Sequence, residues 1–464
     1  MHGITLTSAP SDWEVIQQEN GYGQVTLSGV FQVHPAAIQV GVRAVQPLVR
    51  VMNEADNTPV IPWTPMTCHV EADFSGSFTH TLSVPSGGLY RIDTSLETHS
   101  TQPGLTWLYR GDCVLHLGVG NLFIIAGQSN SAGYARDYAL DPPHLGVHLF
   151  RNRSRWDLAT HPMNESTLAG SLANEEMGVP GVSPYLSFAR SFCEFSRCPV
   201  GLIQTALGGS PMSRWLPDTG DLYANMLDKI ALTHGKYAGV LWYQGCSDGS
   251  PDASPLYLER FTSMVQALRS HLGYEIPFFT FQLNRFLDCT EDVSWGQVRE
   301  AQRTAALTLP RVTVLPTINC AMSDGIHNSA HANVMLGEKL ARQAAHHLLE
   351  GFDEFEAPSL RSARLLDDGQ LCLTFDHMKL GFIYASGRAE CNGFTLEDSE
   401  GEIPLTAFRA AREDRNHIYL TPSRRPGKDA ALSFAWQADP VRFPVVDEVT
   451  FLPPLSFYRV PLDT

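Results

Sequence analysis

The chain has 464 residues, of which 43% are hydrophobic and 18% charged, so it is long enough for two or three globular domains. Its 49 acidic and 33 basic residues give a formal charge of −16, which argues against nucleic acid or an anionic membrane as a partner. No stretch has the length and apolar character of a membrane span, and the first residues lack the pattern of an export signal. We therefore expect a cytoplasmic protein.

The cysteines agree with a reducing compartment. Their number is odd, they are scattered along the chain, and no Cys-x-x-Cys spacing occurs, so neither a zinc ribbon nor a thioredoxin-like pair is supported. We expect reduced thiols and no metal ion at these positions. The nine are Cys68, Cys113, Cys193, Cys198, Cys246, Cys289, Cys320, Cys372 and Cys391.

The first part of the chain has the alternating pattern of β-strands. Apolar and polar side chains alternate over residues 38–42 and 78–84, and a Ser-Gly-Gly turn at 86–88 precedes another strand-like stretch. Short strands at this spacing are typical of a sandwich. We predict an N-terminal β-sandwich-like domain over residues 1–115.

The central part alternates between buried strands and amphipathic helices. Residues 185–192 and 258–272 repeat apolar side chains at i, i+3 and i+4, and a last helix is expected over about 332–350, before Gly351. This alternation predicts a parallel sheet covered by helices on both faces, over residues 116–352. The predicted strands are 122–126, 200–204, 240–243, 278–283 and 312–315.

After an acidic linker at 352–358 the chain returns to β-strand patterns. An Asp-Asp-Gly turn at 367–369 lies between apolar stretches, as in a hairpin. Further strands are expected at 418–420, 432–434 and 449–451. We predict a C-terminal β-rich domain over residues 353–464, so that an α/β domain is flanked by two β regions.

The stretch 121–133 carries the first sign of chemistry. An unbroken apolar run ends at Ala126 and gives way to small and polar residues, with Ser129 at the break. A serine just past the carboxyl end of a parallel strand lies where open α/β sheets place their active sites, and Gly127 and Gly133 permit close backbone approach. Taken alone, the stretch is better explained by a strand followed by a polar turn.

Two further stretches follow strands of the same predicted sheet. After the second strand, the Gly208-Gly209 pair can expose a backbone N–H to a ligand oxygen, and Trp215 is a candidate wall of a pocket. After the third strand, the Gln244 amide is a candidate donor to a developing oxyanion. Each of these stretches, taken alone, is explained by a turn or a loop cap.

The last strand is followed by an Asp-x-x-His sequence. Asp324 can accept a hydrogen bond from Nδ1–H of His327, which leaves Nε2 free to take a proton from a serine. Alone, this spacing is more often structural than catalytic. Together with Ser129 and the candidate oxyanion donors, however, the set specifies a serine hydrolase, since serine needs a base and the tetrahedral intermediate needs donors.

Four short motifs therefore occur in a fixed order in the central domain. They are Gly127-Gln128-Ser129-Asn130, Gly208-Gly209-Ser210 followed by Trp215, Trp242-Tyr243-Gln244-Gly245 followed by Asp248, and Asp324-Gly325-Ile326-His327. As a set they resemble the blocks of the SGNH-hydrolase superfamily, in particular of the sialate O-acetylesterase and acetylxylan esterase group. The resemblance covers the central domain and extends more weakly to residues 85–92 and 453–459.

This resemblance implies a flavodoxin-like central sheet with Ser129 as nucleophile, His327 as base and Asp324 as its partner. It implies removal of O-acetyl groups from an acetylated mono- or oligosaccharide through an acetyl-enzyme, without a metal or organic cofactor. The oxyanion donors implied are the N–H groups of Ser129 and of the Gly208-Gly209 turn, together with the Gln244 side chain. The substrate-binding residues expected are Trp215, Gln128 and Asn130.

The sequence departs from this family at one position. The family commonly carries an acidic residue after Gln-Gly, where this chain has Cys246, so the orienting role falls on Asp324. We expect a buried, inert thiol rather than a second nucleophile there. Two alternatives stay open: an esterase for a non-sugar or longer acyl group, and a sugar-binding relative that has lost turnover. The acetylated sugar and the oligomeric state are not specified by the sequence.

Other polar and aromatic clusters have simpler explanations. His327 and His331 are four residues apart but lack the glutamate of a zinc protease, and His346-His347 suits the end of a helix. The basic turn at 424–428 is expected at the surface. Trp63 and Trp436 would suit stacking on sugar rings, although core packing is the default for such residues.

Overall fold

The structure, a computed structural model, describes residues 2–102, 106–165, 169–233, 236–384, 393–410, 414–440 and 445–463. Its fold is mixed α/β, with one large mixed sheet and additional antiparallel sheets. Cys391 lies outside the described residues. Within them, no helix combines the length and apolar character needed to cross a membrane.

The N-terminal region consists of two packed sheets that share one apolar core. One sheet has the order β1-β3-β7-β6, and the other contains β4, β5, β8 and the first part of the strand that follows, β9 (Thr106–Gly127). Val25, Leu27 and Val84 from the first sheet pack with Val49 and Ile92 from the second, all fully buried. The elements are β1 Gly3–Ser8, β2 Val15–Gln17, β3 Tyr22–Gln32, α1 Pro35–Gln39, β4 Val42–Asn53, β5 Pro59–Pro65, β6 Cys68–Val70, β7 Gly76–Pro85 and β8 Gly87–Ser100.

One long strand, β9 (Thr106–Gly127), belongs both to this region and to the central sheet. Its first part pairs with β8, and its last part pairs in parallel with two strands of the central sheet. Between these parts, β2 pairs in parallel with residues 118–120. The predicted boundary after residue 115 therefore falls inside a strand, next to His116, whose φ is +58°.

The central sheet has the strand order β11-β10-β12-β9-β13-β14-β15, and all neighbours are parallel except β10 and β11. Counted from β9 and without the edge pair, this is the flavodoxin-like order 2-1-3-4-5, in which ligands bind beside the first strand. The elements are α2 Ser129–Ala132, β10 Val147–Phe150, β11 Trp156–Leu158, α3 Tyr185–Ser196, β12 Val200–Gln204, α4 Asp221–Leu232, β13 Gly239–Tyr243, α5 Tyr257–Leu272, β14 Phe278–Phe281, α6 Asp292–Thr308, β15 Val312–Leu315 and α7 Ala330–Leu348.

Strand β9 is buried on both faces because helices cover both sides of the sheet. Phe123 and Ile125 point to the side of α3 and α7, where Phe123 makes edge-to-face contacts with Phe188 and Phe192. Ile124 and its alternating neighbours pack on the other side, with α4, α5 and α6. This two-sided burial is the reason for the unbroken apolar run in the sequence.

The C-terminal region also has two sheets around one core, in the orders β16-β17-β22-β21 and β20-β19-β23-β25, with a separate pair β18-β24. It is fastened to α6 by the buried Arg299, which donates to the carbonyl oxygens of Ala435 and Gln437. The strands are β16 Ser359–Leu365, β17 Leu371–Asp376, β18 Phe382–Tyr384, β19 Phe394–Asp398, β20 Gly401–Glu402, β21 Leu405–Ala410, β22 His417–Pro422, β23 Ala431–Phe434, β24 Val445–Asp447 and β25 Phe457–Pro461.

Two strand predictions are wrong. Residues 35–39 form α1 where a strand was expected from 38, because the His34 side chain accepts from the Ala36 N–H and Pro35 begins the helix. Residues 449–451 form a turn, in which the Asp447 carboxylate accepts from the N–H groups of Val449 and Thr450. All five predicted strands of the central sheet are present, and the last helix begins at Ala330.

Helices α3 and α7 approach closely at Gly337. A Cβ atom at this position would lie 2.0 Å from the Pro184 carbonyl oxygen and 2.1 Å from Ser187 Oγ. We expect Gly337→Ala to force the helices apart and to lower the free energy of unfolding by about 1–3 kcal/mol. Thermal or denaturant unfolding measures the loss. The control is Glu338→Ala, on the exposed face of the same helix, with an expected change below about 0.5 kcal/mol. Equal stability of both variants would contradict the prediction.

Candidate active site

Ser129 lies at the point where β9 ends and the short helix α2 begins. The turn requires glycine at position 127, because φ there is +119° and a Cβ atom would lie 2.4 Å from the Tyr243 carbonyl oxygen. Ser129 is 7% exposed, and the exposed part faces a cavity. The nucleophile candidate thus lies just past the carboxyl end of an interior strand, as the sequence predicts.

His327 and Asp324 lie in the loop between β15 and α7, and their side chains are paired. His327 Nδ1 is 2.7 Å from Asp324 Oδ2, while Asp324 Oδ1 accepts from the N–H groups of Ile326 and His327. Burial alone would raise the pKa of the Asp324 carboxyl, but these hydrogen bonds outweigh it and lower that pKa. An ionised Asp324 therefore holds Nδ1–H of the imidazole and leaves Nε2 free.

Buried asparagines fasten the histidine loop to the strand ends. Asn130 Oδ1 accepts from the Asn328 N–H at 3.1 Å, and Asn328 Nδ2 donates to the Tyr243 hydroxyl at 2.9 Å. From the other side, Asn284 Nδ2 donates to the Ile326 carbonyl at 2.6 Å. These contacts join the loop that carries His327 to the turn that carries Ser129.

Ser129 and His327 line one cavity of about 580 Å³. Its floor includes Gly208 and Gly209, and Tyr134 stacks on the His327 ring with a centroid distance of 5.3 Å. Further lining residues are Gln128, Leu172, Ala173, Glu175, Glu176, Met177, Leu207, Arg214, Cys246, Ser247 and Ile326. The volume accommodates an acyl group and part of a sugar-sized alcohol.

The two glycines of the predicted oxyanion turn differ in their hydrogen bonds. The Gly208 N–H donates to Glu176 Oε1 at 2.9 Å, so it is already occupied. Among the described residues, neither the Gly209 N–H nor the Ser129 N–H has a hydrogen-bond acceptor, and Gly209 has φ of +68° and is exposed. The geometry therefore favours Gly209 over Gly208 as the donor from this turn, together with Ser129.

Gln244 does not lie where the sequence places it. The side chain is fully buried, and Nε2 donates to the Ser210 carbonyl at 3.1 Å and to Asp248 Oδ2 at 2.5 Å. Both amide hydrogens are thus occupied, so the structure does not support Gln244 as an oxyanion donor. Asp248 also accepts from the Met212 N–H, and this pair ties the loop after β13 to the loop after β12.

The three expected substrate-binding residues are mainly structural. Trp215 is fully buried, packs edge-to-face on Trp242 and donates to Ser210 Oγ, so it does not line the cavity. Asn130 is 1% exposed and holds the histidine loop. Gln128 does line the cavity, but its Oε1 accepts from the Gly245 N–H at 2.9 Å and fixes the neighbouring loop.

Cys246 contributes its thiol to the cavity wall, 3.4 Å from Asn284 Oδ1. Burial raises the pKa of this thiol to about 12, so it stays protonated at neutral pH. Cys246 is half-buried rather than buried as expected, and its raised thiol pKa supports the expectation of an inert thiol. Within the described part of the chain, no cluster of three or more His, Cys, Asp or Glu side chains is arranged to hold a metal ion.

Tyr134 and Glu176 belong to the site and were not predicted. Tyr134 directly follows Gly133, and Glu176 lies in an irregular loop before α3. Neither residue is part of a motif or of an apolar repeat, so the sequence offers no signal for them. The other two aromatic candidates do not line this cavity: Trp63 is 39% exposed beneath the Arg50 guanidinium, and Trp436 packs on Tyr458.

Residues 119–346 match the family described as "Carbohydrate esterase, sialic acid-specific acetylesterase". The matched segment begins within β9 and ends within α7, so it contains all four motifs. This match confirms the resemblance drawn from the motifs and supports carbohydrate acetylesterase activity. No curated protein matches the chain at a significant level.

Solved structures with a similar fold include a carbohydrate acetylesterase from Xanthomonas citri. It is 20% identical, covers 98% of this chain and 99% of its own, and has a TM-score of 0.65. A protein from Arabidopsis thaliana is 25% identical and covers 49% of this chain and 98% of its own, with a TM-score of 0.43. The structure of NanS is 15% identical over 49% of this chain and 97% of its own, with a TM-score of 0.41. The first of these shows that the whole chain has a known overall fold.

We expect Asn130→Ala to weaken catalysis without removing a reacting group. The variant leaves the buried Asn328 N–H without its acceptor, so the His327 loop loses its attachment to the Ser129 turn. Turnover of p-nitrophenyl acetate should fall about 10- to 100-fold. The matched control is Asn333→Ala. Asn333 is also a buried asparagine, and its Nδ2 donates to the Val182 carbonyl, so this variant should be less stable but should keep its turnover per folded molecule. Equal losses of turnover in the two variants would contradict a specific role.

Cys246 should resist alkylation in the folded protein. With a thiol pKa of about 12, only about one thiol in ten thousand is ionised at pH 8. Iodoacetamide treatment followed by peptide mass spectrometry should therefore find Cys246 unmodified, with turnover retained. The same peptide labelled in guanidinium chloride is the control. Rapid labelling of the folded protein with loss of turnover would mean that a thiolate forms there.

Proposed function

We propose, from the family match over residues 119–346, that this protein is a carbohydrate O-acetylesterase that transfers the acetyl group to Ser129 and then to water. The observation that carries the proposal is the arrangement of the cavity. Ser129 and His327 line the same space, and Asp324 holds the far side of the His327 ring. A shared cavity allows the contact between nucleophile and base that the chemistry needs, with the acid already bonded to the base.

In the first step, Ser129 Oγ attacks the acetyl carbonyl while His327 Nε2 takes the hydroxyl proton. Asp324 stabilises the imidazolium that forms, through the hydrogen bond from Nδ1. The N–H groups of Ser129 and Gly209 are the available donors for the oxyanion. The intermediate then collapses, the sugar hydroxyl leaves with the proton from His327, and the acetyl group stays on Ser129.

In the second step, His327 accepts a proton from water, and the resulting hydroxide attacks the acetyl carbonyl. The same donors stabilise the second oxyanion, and Ser129 leaves with the proton as acetate is released. Every proton moves through His327, so the reaction needs no group beyond those named. Chemistry of this kind requires only a small acyl pocket beside the nucleophile.

The substrate class is an acetylated mono- or oligosaccharide. Sialic acid and xylo-oligosaccharides both stay candidates, since the cavity wall contains the cation Arg214 as well as carboxylates. Arg214 is already paired with Asp221 through two hydrogen bonds of 2.9 and 2.6 Å. The cytoplasmic location stays a prediction, and under it the enzyme would meet imported small sugars rather than polymers.

One observation favours a second candidate, an esterase for a substrate with an apolar part. Leu172 and Met177 line the cavity and are 82% and 103% exposed, so an apolar group bound there would cover them. Relative rates on acetyl and butyryl esters, and on sugar and aryl alcohols, separate this candidate from the first. A preference for the butyryl ester would favour the second candidate.

We expect Ser129→Ala to lower the turnover of p-nitrophenyl acetate and of acetylated sugars by about a thousandfold or more. His327→Ala should have a similar effect, because serine without its base is a weak nucleophile. The turnover of Asp324→Asn should fall about 100-fold or more, because the substitution disturbs the tautomer of His327. Acetate release measures all three, and thermal unfolding establishes that the variants fold.

A covalent readout complements the rates. Rapid mixing of the wild type with p-nitrophenyl acetate should place one acetyl group on the peptide that contains Ser129, detected by mass spectrometry. The exposed variant Glu338→Ala should acetylate as the wild type does. Unchanged hydrolysis by Ser129→Ala would refute the nucleophile assignment, and sugar binding without acetylation would favour the inactive relative.

A further inference from the structure

Glu176 is a buried carboxylate that the mechanism above does not use. It is 4% exposed and lies in the loop before α3, at the wall of the catalytic cavity. Both of its oxygens accept hydrogen bonds from groups that belong to different parts of the site. Burying a carboxylate costs desolvation free energy unless its oxygens are hydrogen-bonded, so a buried glutamate beside the active site suggests a specific role.

The first contact of Glu176 is with the oxyanion turn. Oε1 accepts from the Gly208 N–H at 2.9 Å, which fixes the orientation of this peptide group. A side chain at 208 would require Glu176 to move, because a Cβ atom there would lie 2.9 Å from Glu176 Oε2. Because Gly208 is held by Glu176, the next N–H, that of Gly209, is kept at the cavity with no acceptor among the described residues.

The second contact of Glu176 reaches the base. Oε2 accepts from the Tyr134 hydroxyl at 2.5 Å, and the Tyr134 ring stacks on the His327 ring at 5.3 Å with an angle of 29°. The hydroxyl bond holds the tyrosine ring in place, and the ring limits the rotation of the imidazole. The two oxygens of the Glu176 carboxylate thus bond to the oxyanion turn and to Tyr134, the residue that packs on the base His327.

A chain of neutral amides supports Glu176 from behind. Asn164 Nδ2 donates to Oε1 and to the Ala206 carbonyl, and Asn152 Nδ2 donates to Asn164 Oδ1. Burial raises the pKa of Glu176, while the hydrogen bonds from Tyr134, Gly208 and Asn164 oppose this rise. Both oxygens of the Glu176 carboxylate are therefore hydrogen-bonded.

We infer that Glu176 is a positioning residue for the proposed reaction, which sets the Gly208-Gly209 turn and, through Tyr134, the His327 ring. The inference rests on the proposed function. It assigns no proton transfer to Glu176, because both oxygens are occupied by donors. Its consequence is that losing the carboxylate lowers transition-state stabilisation more than substrate binding.

Two substitutions at this position test the inference. In Glu176→Gln, the amide oxygen still accepts from Gly208 and Asn164, and the amide nitrogen donates to the Tyr134 oxygen, so kcat should stay within about fivefold of the wild type. In Glu176→Ala, both contacts are lost, and kcat should fall about 10- to 100-fold with KM within about twofold. Glu194→Ala, an exposed carboxylate on α3, is the control for the loss of charge.

Tyr134→Phe separates the two contacts. It keeps the ring beside His327 and removes only the hydroxyl bond, so its loss of kcat should be smaller than that of Glu176→Ala. Rescue by glutamine distinguishes positioning from a need for the negative charge. Three results would each overturn the inference: equal losses of kcat in Glu176→Gln and Glu176→Ala, a rise in the KM of Glu176→Ala with kcat unchanged, or full activity of Glu176→Ala.

Hydrogen exchange gives a readout that does not depend on turnover. The amide of Gly208 should exchange faster in Glu176→Ala and as slowly as in the wild type in Glu176→Gln, measured on peptides spanning 205–215. Unchanged exchange in the alanine variant would overturn the inference even if the turnover of that variant falls. Equal hydrolysis by the wild type and Ser129→Ala would instead refute the proposed function and leave this measurement to decide the role of Glu176.

Discussion

The close approach of two backbones at Gly127 is the constraint on which the site depends. The Gly127 carbonyl accepts from the Leu207 N–H at 3.0 Å, and the adjacent Gln128 N–H donates to the Tyr243 carbonyl at 2.9 Å. The ends of β9, β12 and β13 are thereby joined within one turn of chain, which a side chain at 127 would prevent. The positions of Ser129 and of the oxyanion turn consequently follow from the sheet itself, and long loops are not needed to bring them together.

The sequence was sufficient where the chemistry is local. Ser129 follows an apolar run that is buried on both faces, and Asp324 lies three residues from His327, so strand burial and short spacing predict both placements. The direction in which a long polar or aromatic side chain points could not be predicted in the same way. Gln244 turns toward Asp248, and Trp215 packs on Trp242, because those partners satisfy them better than an open cavity would.

Other parts of the site are decided by contacts between distant segments. Tyr134, Asn164 and Gly208 all bond to Glu176 although they lie 12 to 42 residues from it in sequence, and no periodic pattern connects them. The boundary expected after residue 115 is a further example. The sequence pattern changes there from that of a β-sandwich to that of an α/β domain. The strand nevertheless continues, because β9 pairs first with β8 and then with the strands of the central sheet.

The continuity of β9 makes the N-terminal region a structural part of the catalytic sheet. Residues 15–17 pair with residues 118–120, and the Gln17 side chain accepts from the Leu122 N–H at 2.8 Å, seven residues before Ser129. A gene fusion or deletion that exchanged the first hundred residues would therefore expose backbone groups of the strand that presents the nucleophile. In this chain, the N-terminal region and the catalytic sheet therefore form one hydrogen-bonded structural unit.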